Sequence, residues 1–105
     1  MIWDSKGGYY GDNLSTASLS INHVAIGNIS GIYQDTSYAW GTGAGSRFSS
    51  AQINNSILYG ANSYGVADYI NSNYNDFFNN TQNYGGRFGI PSAGPQDMYV
   101  NPNLI

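Results

Sequence analysis

Residues 49–79 read SSAQINNSILYGANSYGVADYINSNYNDFFN, and the reading of this stretch decides the fold. Ser49 with Gln52 fits a helix-capping box, a hydroxyl at the cap and an amide three residues on. Ile53, Ile57 and Ala61 then recur every four residues, which places them on one face of a helix. The stripe shifts near Gly60 and Asn62 and resumes through Val66, Ile70, Tyr74 and Phe77/Phe78. A shift of face at a glycine predicts two short helices, or one kinked helix, over about 50–78. Ile53, Ile57, Val66, Ile70 and Phe77 are the expected buried residues. Asn71, Asn73, Asn75, Asn79 and Asn80 weaken the end of the second helix.

Upstream, Leu19 and Ile21 alternate, and Val24 and Ile26 alternate on the opposite parity. That pattern fits a strand region over about 18–34 with a bulge near Asn22–His23. A helical stripe through Leu14, Ala17, Ile21, Val24, Asn28 and Ile32 is the competing reading. The β-branched content and the glycines at 27 and 31 favour the strand. Residues 35–48 form a glycine-rich connector. Its Gly41-Thr42-Gly43-Ala44-Gly45 run is followed by Arg47-Phe48 and lacks the Lys and Ser/Thr of a phosphate-binding loop.

The ends read as arms. Residues 1–13 carry Gly7-Gly8-Tyr9-Tyr10-Gly11 without a period. In 80–105, Gly85-Gly86, Gly89, Pro91, Gly94-Pro95 and Pro102 forbid a long regular element. The expected fold class is therefore a small α+β domain with extended irregular N- and C-terminal arms. It divides into an N-terminal arm (1–13), a core (14–79) and a C-terminal arm (80–105).

Composition narrows the function. The 105 residues hold six Asp, no Glu and only three bases, Lys6, Arg47 and Arg87. Nine per cent charged is far below the ~25% of an ordinary soluble domain. Polarity comes from 14 Asn and 13 Ser, with 10 Tyr adding amphipathic area. Amides and hydroxyls enter contact surfaces without the desolvation cost of a charge, and Tyr is enriched at such surfaces. Three bases against six acids disfavour nucleic acid, whose binding rests on phosphate contacts.

Catalytic equipment is sparse. His23 is the single histidine and has no motif linking it to any Asp, so it reads as structural. No nucleophile elbow occurs among the many Ser residues. One His, no Cys and scattered Asp do not compose a zinc or calcium site, and no cofactor motif appears. No catalytic, cofactor-binding or metal-binding residue is assigned. The start at Met1-Ile2-Trp3-Asp4 lacks the features of a signal peptide, and no apolar run reaches the ~18 residues of a membrane helix. Four N-x-S/T sequons begin at Asn13, Asn28, Asn54 and Asn79; a chain this rich in Asn, Ser and Thr yields about two by chance, so they carry little weight.

The expectation is a non-enzymatic structural subunit of a large assembly. A virion component, such as a minor capsid or cement protein, or an extracellular filament subunit fits best. Its partners would be copies of itself or other structural proteins. The candidate interface residues are Trp3, Tyr9, Tyr10, Trp40, Phe88, Ile90, Met98, Tyr99, Val100, Leu104 and Ile105. The alternative is a glycan-binding module that stacks sugar rings on exposed Trp and Tyr.

Overall fold

A computed structural model describes residues 1–4, 7–11, 20–30, 42–46, 51–86 and 89–103. The described residues contain eleven short strands and no helix. They are β1 (Ile2–Trp3), β2 (Tyr9–Gly11), β3 (Ser20–Asn22), β4 (Ala25–Gly27), β5 (Ala44–Ser46), β6 (Gln52–Asn54), β7 (Ile57–Tyr59), β8 (Tyr64–Asp68), β9 (Asn71–Asn73), β10 (Asp76–Phe78) and β11 (Gln82–Gly85). Every strand-to-strand pairing is parallel. The sheets have the orders β1-β4-β7-β10, β2-β5-β8-β11 and β3-β6-β9, here called A, B and C. The chain thus visits A, B and C in turn and starts again, so that each circuit lays one rung on the last. This is a parallel β-solenoid, in which each coil buries its apolar face against its neighbours.

The α+β expectation is overturned, and the expected helices over 50–78 are strands β6 to β10. The error has a physical source. In a coil, a three-residue strand turns its central side chain inward, and a two-residue corner follows. Inward residues then fall at Ile53, Leu58, Ala61, Val66, Ile70 and Phe77, all 3% exposed or less. From Ile53 to Ile70 their spacing averages near four and imitates a helical stripe. Ile57 is only half-buried, on the outward side of β7, and Tyr74 is 55% exposed at a corner. The parity change at Asn22–His23, expected as a bulge, is such a corner as well.

The corners repeat where the sequence does not. His23, Asn55 and Tyr74 each follow a sheet C strand, with φ of 54°, 51° and 56°. Asp4, Asn28, Gly60 and Asn79 each follow a sheet A strand, with φ of 52°, 51°, 69° and 57°. A left-handed residue turns the chain sharply, and Asn, Asp and Gly tolerate it best. One such residue inside 50–78 would interrupt a helix, and Asn55, Gly60, Asp68 and Tyr74 all adopt it.

The interior is a set of stacked columns. Ile26, Leu58 and Phe77 share one register in sheet A, and Ile21 and Ile53 share one in sheet C. Each large aliphatic or aromatic side chain fully buried in these columns contributes about 1.5–3 kcal/mol. Circuit length is not constant: 24, 32 and 19 residues separate Ile2, Ile26, Leu58 and Phe77. The extra residues lie between the strands, where loops are tolerated without disturbing the stack. Of the expected C-terminal arm, Gln82–Gly85 is strand β11 and pairs with β8.

Candidate functional site

The two ends of the solenoid differ in chemistry, and the difference is written column by column. In sheet C the inward column runs Ile21, Ile53, Ser72. At the corner from C to A it runs Val24, Ser56, Asn75, as the bonds from Ile57 N to Val24 O and from Asp76 N to Ser56 O show. At the corner from A to B it runs Ile29, Ala61, Asn80. Each column begins apolar and ends polar, and the corner from C to A already turns polar at Ser56.

The polar end is closed by the chain itself. Met98 forms a parallel bridge with Asp76, accepting from Phe77 N at 2.9 Å and donating to Asn75 O at 2.7 Å. This places Asp97 on top of Asn75, and its carboxylate collects donors from four residues. Oδ1 accepts from Asn75 N at 2.9 Å and Asn75 Nδ2 at 3.3 Å. Oδ2 accepts from Ser72 Oγ at 2.7 Å, Tyr84 OH at 2.8 Å and Gly94 N at 2.9 Å. Gly94 is pressed against Ser72 O, where a Cβ would have no room. Tyr84 and Tyr99 share a 2.8 Å hydroxyl contact, and their rings cover Phe77 at centroid distances of 4.9 and 6.3 Å. A polar closing layer of this kind is what a repeat array needs at a terminus.

Burial raises the Tyr84 hydroxyl far above the ordinary tyrosine range, and its bonds to Tyr99 and Asp97 reinforce the shift. The folded state therefore keeps this proton while the unfolded chain releases it near pH ~10. The contribution is complete below that pH and is lost as pH rises above it. Urea midpoints measured at pH 8 and pH 11 should fall more steeply for the parent than for Tyr84→Phe. Parallel losses in the two proteins would contradict the assignment.

The opposite end is open. Strands β1, β2 and β3 pair on one side only among the described residues. The bonds from Asp4 N to Gly27 O, Gly8 N to Thr42 O and His23 N to Asn54 O point inward to the second rung. Backbone groups alternate along a strand, so the N–H groups of Trp3, Tyr9, Ser20 and Asn22 face the free edge. Ile21 is 8% exposed, whereas Ile53 above it is fully covered.

The sequence-predicted interface residues divide between these ends. Trp3, Tyr9 and Tyr10 belong to β1 and β2 of the open rung. Met98, Tyr99 and Val100 lie on the closing segment and are 53%, 50% and 57% exposed. Ile90 is exposed beside a cleft of about 310 Å³ that Asp68, Tyr69, Asn71 and Pro91 also line. Trp40, Phe88, Leu104 and Ile105 lie outside the described residues. His23 is exposed at its corner. No group of three or more His, Cys, Asp or Glu able to hold a metal occurs among the described residues. No described helix is long and apolar enough to cross a membrane.

Sequence reasoning passed over Asn75, Asn80, Tyr84 and Asp97. The signal that marks the first two is a shared interval: Asn75 and Asn80 stand 19 residues after Ser56 and Ala61, the N–H groups they cap. No family model, curated protein or solved structure matches the chain.

Proposed function

We propose that this chain is a non-enzymatic structural subunit that joins a larger protein assembly, such as a virion or a filament, through its first rung. The observation that carries the reading is the asymmetry of the ends. One end is closed by Asp97, Met98 and Tyr99; the other offers, among the described residues, three free strand edges around an apolar cross-section of Ile2, Ile21 and Val24. Free edges of this kind are templates for pairing unless they are blunted. The charge-poor, Asn- and Tyr-rich surface suits such contacts.

Ser20→Pro tests this reading. Ser20 is exposed, and its N–H faces the free edge, so proline removes a donor from the docking edge and none from the pairing with Gln52. In the natural source the tagged parent should sediment with particles far heavier than its own 11.3 kDa. The Ser20→Pro chain should shift to the light fractions with its β-sheet circular dichroism intact. A parent recovered as free monomer would refute the reading.

One observation favours a second reading, glycan binding. Tyr59 and Phe78 stack on the outer side of sheet A, with ring centroids 5.9 Å apart and planes 21° apart. Glycan-array binding that disappears with Tyr59→Ala, in a chain that remains light in its source, would support that reading over the first.

A further inference from the structure

The closing segment sits on the edge that a second copy of this chain is built to occupy. The last rung consists of β10 and β11, and Met98 takes up the edge groups of β10, Phe77 N and Asn75 O. The first rung of another copy presents β1 and β2, which belong to the same two sheets and run in the same direction. Docked there, β1 would extend sheet A beyond β10, and β2 would extend sheet B beyond β11. Ile2 would continue the Ile26–Leu58–Phe77 column, since it already stands in register with Ile26. Pairing of this kind joins unlike ends, so it propagates as an open filament and does not close.

We propose that residues 94–100 are a built-in terminator that prevents this chain from stacking head to tail on itself. The wild-type chain then docks by its first rung and ends growth at its last. The segment is held mainly through one side chain: Asp97 gathers Ser72, Asn75, Tyr84 and Gly94, while Met98 and Val100 pair with Asn75, Asp76 and Phe77. It also lies at the surface, with Met98, Tyr99 and Val100 each about half exposed or more. Loss of the Asp97 contacts should release it without removing any inward aliphatic side chain. The docking edge invoked is that of the proposed function, but the partner is a copy of this chain, so the two readings fail separately.

Two full-length variants test the terminator. Asp97→Ala removes the carboxylate. Gly94→Val leaves Asp97 in place and drives a side chain into Ser72 O and the Asn73 Cα, which a Cβ would meet at 2.7 Å. Purified chains are followed by light scattering, electron microscopy and far-ultraviolet circular dichroism. Both variants should keep their β signal and grow into filaments, raising the scattering mass by about tenfold or more. Trp3→Pro, which removes the outward N–H of the docking strand β1, should abolish growth in either background. Added wild type should act as a chain stopper: one wild-type chain per ten variant chains should limit filaments to about ten subunits.

Variants that stay the size of the parent would overturn the proposal. So would aggregates indifferent to Trp3→Pro or to added wild type. Loss of the β signal in both variants would also overturn it, because the segment would then hold the coils together instead of shielding their edge. Failure of the parent to sediment with an assembly in its source, together with filaments that obey these rules, would sink only the proposed function.

Discussion

Asn75→Leu should lower the unfolding free energy by about 2–4 kcal/mol, from one orphaned buried N–H at about 1–3 kcal/mol and the smaller losses around it. Asn75 is completely buried, and leucine keeps its forked shape with bulkier methyl ends, so the exchange removes the polar atoms and adds some crowding. What changes is the corner beneath it. Asn75 Oδ1 accepts from Ser56 N at 3.0 Å, and Asn75 Nδ2 donates to Ile53 O at 2.9 Å and to Ser72 Oγ at 2.9 Å. The left-handed Asn55 turns the chain at this corner, and Ile53 O keeps its ladder donor from β9 while Ser56 N finds its acceptor only in the Asn75 side chain. The amide of the next coil supplies that acceptor, and leucine cannot.

Asn80 performs the same operation one corner on, accepting from Ala61 N and donating to Leu58 O, both at 2.9 Å, across the left-handed Gly60. Asn80 is only partly buried, so water can replace the lost bonds and Asn80→Leu should cost about 1–2 kcal/mol. Urea midpoints of the two variants against the parent check the ranking. Against a typical total of about 5–15 kcal/mol, the Asn75 change removes a substantial share of the stability. Equal losses in the two variants would mean that burial does not set the cost.

Little of this architecture is legible in the sequence, for a specific reason. The third coil and the rung that follows it are offset by 19 residues, yet across this offset Ile53 faces Ser72, Ser56 faces Asn75 and Gly60 faces Asn79. Only the conformation repeats: a short strand, a left-handed residue, a corner. Asn54 and Asn73 are identical across that offset, and they stand among so many Asn that the match carries no signal. The circuit also lengthens to 32 residues between Ile26 and Leu58, which defeats any search at a fixed period. The inward residues could be picked out in part, because Ile53, Val66, Ile70 and Phe77 are apolar in either fold. Their partners could not, because a helical face and a solenoid column differ in what lies above and below, not in which residues are apolar. The depletion of charge was legible and carries over to the site: the open rung is described without a single charged residue in β1, β2 or β3.

Gly65→Val should cost about 2–4 kcal/mol through overpacking. Three glycines, Gly8, Gly43 and Gly65, enter sheet B at equivalent points of successive coils, and each faces the large inward residue of the next sheet A strand. A Cβ on Gly8 would meet Ile26 Cγ2 at 2.7 Å, on Gly43 Leu58 Cδ2 at 2.8 Å, and on Gly65 Phe77 Cδ1 at 2.7 Å. The column Ile26–Leu58–Phe77 is thus accommodated by the absence of side chains across from it. At each of the three a backbone carbonyl of the next coil stands in the way as well; at Gly65 it is Asn83 O of β11, 2.9 Å from the same point. The phenyl ring can rotate or be shortened; the carbonyl can move only with its strand. Phe77→Ala by itself opens a cavity and should cost about 3–5 kcal/mol. The double variant Gly65→Val/Phe77→Ala should be more stable than the sum of the two losses by about 1 kcal/mol, since valine enters part of the space the ring leaves. The rescue stays partial because Asn83 O is untouched. Chemical denaturation of the four proteins in one cycle measures the coupling. Additive losses would mean that Gly65 and Phe77 do not share the same space, and the glycine column would lose its assigned role.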